Sequence, residues 1–240
     1  MDREIFLVSS PFAGPGEPFS NQNHFLDRLR LSLINCKKLL LITSDPENVE
    51  FTQGFFDAVY YTMEHSEIKI PEYNILDGRN MVAADKLVLE SDCIVLAGGH
   101  VPTQNRFFKA IGLRDLLKDY SGVILGISAG SMNSADVVYA QPEEEGEGID
   151  PEFTKFLSGI NLTKRMILPH YQDTKDGILD GKRLFEDITY PDSLGREFYA
   201  LPDGSYLYIR DEKEIICGEA YLIKEGHCEK ICSGNEEYGL

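Results

Sequence analysis

The sequence predicts an α/β protein: a three-layer α/β/α sandwich on a mainly parallel sheet, with a C-terminal antiparallel extension, in one domain over residues 1–240. Three observations predict it. Short apolar runs recur through the first two thirds of the chain, and they are continuous rather than alternating, as in strands buried on both faces. The segments between them carry apolar residues three or four apart, the spacing of a helix with one buried face. The last part of the chain instead has β-rich runs broken by turn residues at hairpin spacing.

The elements follow in order. "EIFLVSS" (4–10), "KLLLITS" (38–44), "CIVLAGG" (93–99), "GVILGIS" (122–128) and "RMILPHY" (165–171) read as strands, and "EIKIPEYNIL" (67–76) as a weaker, interrupted one. Residues 21–34, 47–65, 79–91 and 104–119 read as the intervening helices. From 196 to 231, "PDGS", "RDEK" and "KEGH" punctuate antiparallel strands. The acidic stretch "QPEEEGEGIDPE" (141–152) reads as an exposed, solvated loop.

Composition narrows the function. With 42% hydrophobic residues over 240 positions, the chain can bury a sizeable core. Its formal net charge of −17 repels phosphate backbones and anionic membrane surfaces, so neither nucleic acid nor membrane is an expected partner. No apolar run approaches transmembrane length. The opening "MDREIFLVSS" has an apolar stretch too short for a secretion signal, and the expected compartment is the cytoplasm. Five cysteines are an odd count, which argues against a disulfide framework. Cys228 and Cys232 lack a second pair to complete a metal site, and all five are expected to be free thiols.

The chemistry centres on "GISAG" (126–130), a G-x-S-x-G pattern between an apolar run and a helix. A nucleophile on a sharp strand-to-helix turn needs small neighbours, and the following helix turns free N–H groups toward it. Ser128 is therefore the candidate nucleophile. Serine requires a base at neutral pH. Of the five histidines, His170 ends an apolar run, where side chains gather over the crevice of a doubly wound fold. The base in turn needs an orienting acid. Asp203 in "ALPDGS" is one candidate, and Glu143, Glu144, Glu145 and Asp173 remain open beside it. The backbone N–H groups of Ala129 and of "AGGH" (97–100) are candidate donors to an oxyanion.

Four segments in order, "VLAGGH", "GISAGSMN", "ILPHYQD" and "ALPDGS", resemble the peptidase E and cyanophycinase group of serine peptidases, family S51. The resemblance spans most of the chain. It implies a fold similar to class I glutamine amidotransferases, a Ser–His–Asp/Glu triad and an active site near a dimer interface. Carried over by position, it implies Ser128 as nucleophile, His170 as base, Asp203 as acid, and Gly99 and Ala129 as the oxyanion donors. It implies hydrolysis of a small peptide substrate with no cofactor or metal, and a homodimer as the assembly. The chain departs from the family pattern in two places. "GGH" stands for the usual "GGN", which makes His100 a candidate substrate contact. Asp180 falls where aspartyl dipeptidases of the group carry an arginine clamp, with Lys182 and Arg183 nearby as substitutes. Strict specificity for an N-terminal aspartate is therefore not expected.

Two other readings compete. An α/β-hydrolase esterase would use the order Ser128, Asp203, His227. A non-enzymatic ligand-binding protein of amidotransferase-like fold would lack a correctly placed base.

Overall fold

The computed structural model describes residues 3–240. Five parallel strands form one half of the main sheet: β1 (Glu4–Val8), β2 (Lys38–Ile42), β3 (Glu72–Leu76), β4 (Cys93–Leu96) and β5 (Val123–Ile127). Their spatial order is β1-β5-β4-β2-β3. Period-two side-chain alternation divides each strand between two cores. Ile5 and Leu7 face one side with Val88, Phe107 and Leu113. Phe6 and Val8 face the other with Leu26, Leu29, Val59 and Met63. Both faces are covered, which is why these runs are apolar throughout.

The expected helices form with shifted ends. Val49–His65 is a single helix whose N-cap Asn48 accepts a hydrogen bond from the Phe51 N–H at 3.0 Å. The segment expected at 104–119 is two helices, Val101–Ala110 and Leu113–Leu116, broken at Gly112 with φ 65°. Of the weak run 67–76, only Glu72–Leu76 is strand.

The remaining strands sort into separate sheets. Two short antiparallel pairs stand apart: β6 (Val137–Tyr139) with β7 (Phe156–Ser158), and β9 (Ile178–Leu179) with β10 (Lys182–Arg183). Strand β8 (Met166–Leu168) leaves the main sheet. It pairs in parallel with β11 (Glu197–Ala200), in a second sheet completed by β14 (Ala220–Lys224) and β15 (His227–Cys232). The antiparallel strands β12 (Tyr206–Arg210), β13 (Lys213–Cys217) and β16 (Glu237–Gly239) extend the main sheet beyond β1. The C-terminal extension thus feeds two sheets in alternation. Ile167, Tyr199 and Ala220 of the second sheet join the core shared with Leu207 and Ile216 of the main sheet. One outer layer is helical, and the other is helical over the parallel half and a sheet over the antiparallel half. All five cysteines are free; four are buried and Cys228 is half-buried. No helix among the described residues is long and apolar enough to cross a membrane.

Candidate active site

Ser128 stands between the end of β5 and a short helix, Ala129–Asn133, with φ 51° and ψ −110°. Such a backbone costs a non-glycine residue about 1–3 kcal/mol and persists only where its surroundings hold it. Here they do. The Ser128 N–H donates to the Val8 carbonyl at 3.0 Å, and its own carbonyl accepts from the N–H groups of Ser131 and Met132. The buried Ser131 hydroxyl bonds to the carbonyls of Val8 and Gly126, both at 2.8 Å. A Cβ on Gly130 would collide with the Leu96 carbonyl, so the last glycine of the motif lets the helix lie against β4.

The second sheet supplies the partners. Strands β8 and β11 run side by side, so the segments that follow them emerge together. His170 lies just after β8, and Asp203 just after β11, in the connection that crosses to β12. The His170 Nε2 is 2.9 Å from the Ser128 Oγ, and its Nδ1 is 2.8 Å from the Asp203 Oδ1. A carboxylate only accepts, so Nδ1 carries the proton and Nε2 accepts from the serine hydroxyl. Burial alone would raise the Asp203 carboxyl. Hydrogen bonds from His170, Ser9 and Gln172 more than offset this and hold it below the usual carboxylate range.

No sequence motif marks Ser9. Fully buried at the end of β1, its Oγ accepts the His170 backbone N–H at 2.7 Å and donates to the Asp203 Oδ1 at 2.7 Å. A polar residue ending an apolar run at the carboxyl edge of a parallel sheet is the signal that could have found it.

Gly99, after β4, has φ +142°, and a Cβ there would collide with the Ser44 Oγ. That hydroxyl donates to the Gly98 carbonyl at 2.6 Å and holds the turn. Among the described residues, neither the Gly99 nor the Ala129 N–H donates to a protein acceptor. Gly99, Ser128 and His170 line one open pocket of about 250 Å³.

The other predicted contacts lie elsewhere. The His100 ring is engaged with the Thr103 Oγ1 at 2.8 Å and the Glu147 Oε1 at 2.9 Å, and it does not line the pocket. Arg183 is exposed and pairs with Asp187 at 2.6 Å, also outside the pocket. Asp180 is also outside it, and accepts the N–H groups of Gly146 and Gly148, both at 2.9 Å. The acidic stretch is therefore not a merely solvated loop. Asp180 pins its middle, and the Glu147 Oε2 accepts the Glu143 and Glu144 N–H groups. Glu143 is exposed as a residue, yet its carboxylate reaches the Val101 N–H at 2.9 Å and lines the pocket. Burial pushes that carboxyl above the usual range.

The candidates for the third residue separate clearly. Asp203 is the acid bonded to His170. Asp173 has ligand atoms within 4.8 Å of His170 and Asp203 but bonds to Gln172. His227 is an exposed hairpin residue opposite Lys224 in β14. Among the described residues, two groups bring metal-ligating atoms together: His100, Glu144 and Glu147, and His170, Asp173 and Asp203. Each histidine nitrogen in both groups already has a protein partner.

The sequence matches the model of peptidase family S51 over residues 19–217. The chain belongs to that family. It is a peptidase, and Ser128, His170 and Asp203 all fall within the matched span. Solved structures agree on the fold of this S51 chain. A peptidase from an acI-B1 Actinobacterium is similar with a TM-score of 0.65 at 16% identity, over 100% of this chain and 98% of that one. A putative peptidase E protein from Listeria monocytogenes EGD-e is similar with a TM-score of 0.58 at 16% identity, over 96% of this chain and 100% of that one. No match is found among curated proteins.

Proposed function

We propose that this S51 peptidase is a serine-type hydrolase that cleaves peptide or amide bonds in small peptides. The observation that carries the reading is the unbroken hydrogen-bonded line from the Ser128 Oγ through His170 to Asp203. Ser128 attacks the scissile carbonyl carbon while His170 Nε2 takes its proton. Asp203 keeps the proton on Nδ1 and stabilises the imidazolium. The Gly99 and Ala129 N–H groups receive the oxyanion of the tetrahedral intermediate. The imidazolium then protonates the leaving amine and the C–N bond breaks, leaving an acyl-serine. His170 next deprotonates a water, which attacks the acyl carbon; the C–Oγ bond breaks, the imidazolium returns its proton to the Ser128 Oγ, and the acid product leaves. The pocket of about 250 Å³ favours short substrates.

A fluorophosphonate probe tests the assignment. Intact-mass and peptide mapping should find one adduct, on Ser128, and none in Ser128→Ala. Turnover retained by pure Ser128→Ala would remove Ser128 as the nucleophile.

A further inference from the structure

The ionisable side chains lining the pocket are His170, Glu143 and Asp173; among the described residues no lysine or arginine lines it. Of the nearby cations, Lys182 bonds the Gly148 carbonyl at 2.8 Å, Arg183 pairs with Asp187 at 2.6 Å, and Lys175, next to the lining Thr174, does not itself line the pocket and acts on Glu219. The two carboxylates come from different segments. Glu143 follows β6 and bonds the first N–H of helix Val101–Ala110, beside Gly99. Asp173 lies one turn beyond His170. The remaining walls include Val101, Met132, Ile178, Leu179 and Leu184, an apolar lining suited to an aliphatic stem. The helix end beside Gly99 would ordinarily attract a substrate carboxylate. Here Glu143 already occupies it, and a second carboxylate would meet like charge. The overall charge of −17 steers cations in the same direction.

We infer that the pocket beside Ser128 recognises a positively charged group on its peptide substrate, with Glu143 and Asp173 as the recognising carboxylates. The inference rests on the peptidase reading of the same pocket and specifies its substrate class. The shared chemistry is an ammonium or guanidinium close to the scissile bond, carried either by a basic side chain or by a free α-amine. Desolvation raises the Glu143 carboxyl above the usual range, so as pH falls the preference should fade at a higher pH than an ordinary glutamate would give.

The test compares kcat/KM for Lys-Leu, norleucyl-Leu, N-acetyl-Lys-Leu and Asp-Leu at fixed salt. A charge-assisted contact is worth about tenfold or more. Lys-Leu exceeding norleucyl-Leu by that factor places the cation on the side chain. A ratio near one, with about a tenfold loss on acetylation, places it on the α-amine. Either result supports the inference, and Glu143→Gln or Asp173→Asn should shrink the relevant ratio. Asp-Leu matching Lys-Leu, or indifference to both cations, would overturn it, and the unaltered chain suffices for that test even if a variant fails to fold. Should no peptide turn over, calorimetric binding of Lys-Leu against norleucyl-Leu and N-acetyl-Lys-Leu to Ser128→Ala decides. A cation preference upholds the inference, and none ends it. Fluorophosphonate labelling of Ser128 reads the peptidase assignment separately.

Discussion

The two halves of the candidate site are built differently. The Ser128 half lies in the parallel part of the main sheet, where Ala129 to Asn133 are all buried and the strained serine is held by main-chain bonds to β1. The His170 half hangs from the smaller second sheet, and the side chains of His170 and Asp203 are 35% and 38% exposed. Ser128 is thus fixed by the core, whereas His170 and Asp203 depend on how one sheet docks on the other. Ser9 bridges the halves: it ends a main-sheet strand, and its hydroxyl bonds to both His170 and Asp203. Proton transfer requires the halves to agree to within a hydrogen bond's length, and a buried hydroxyl at the seam is an economical way to enforce that.

The comparison breaks most severely at the base. His170→Ala should lower kcat by about 10⁶-fold, the scale of losing the base of a hydrogen-bonded triad. His227→Ala, an exposed hairpin change, should stay within about twofold, since most surface substitutions away from such a network are nearly neutral. Steady-state kinetics on both variants checks this, and the opposite ranking would favour the order Ser128, Asp203, His227.

A smaller effect should appear at the seam. Ser9→Ala removes a hydrogen bond to a charged carboxylate, worth about 1.5–3 kcal/mol, so kcat should fall by roughly ten- to a hundredfold while KM moves little. The Asp203 carboxyl lies below its ordinary value of 3.8 in the folded chain. Its pairing therefore stabilises the fold above that ordinary value, and the stabilisation is lost as pH falls through the depressed folded value. Losing the Ser9 bond lets the folded carboxyl rise, so the acid-unfolding midpoint of Ser9→Ala should move to higher pH. An unchanged kcat with an unchanged acid midpoint would make Ser9 a bystander.

The smallest expected change sharpens the account of the rigid half. Glycine adopts φ 51°, ψ −110° without penalty, so Ser128→Gly should relieve backbone strain while abolishing turnover. About 1 kcal/mol of net relief corresponds to a Tm increase of roughly 2–4 °C for a chain of this size. A lower Tm for Ser128→Gly would mean that the serine side chain contributes more than its backbone costs.

Legibility in the sequence follows the same division. The parallel half could be read because its signals are local. A strand buried on both faces writes a continuous apolar run, and the Gly–x–Ser–x–Gly corner must hold small residues wherever a helix turns back onto the sheet that closely. His170 and Asp203 were also legible as residues ending such runs, although the acid could not be chosen from sequence pattern alone. The choice belonged to the tertiary structure, because it depends on β8 and β11 lying side by side in a separate sheet. The same holds for Ser9, whose partners are 161 and 194 positions away. It holds for Asp180 and Arg183, which the motif alignment put at the substrate and the fold put on a loop clasp and a surface ion pair. Glu143 was one charge in an acidic run until Asp180 and Glu147 folded that run inward. Apolar periodicity and turn chemistry are properties of neighbours along the chain, so the sequence by itself determined the elements and the nucleophilic corner. Hydrogen-bond partners are properties of neighbours in space, and only the packing of the two sheets decided which acid meets the histidine and which charges face the pocket.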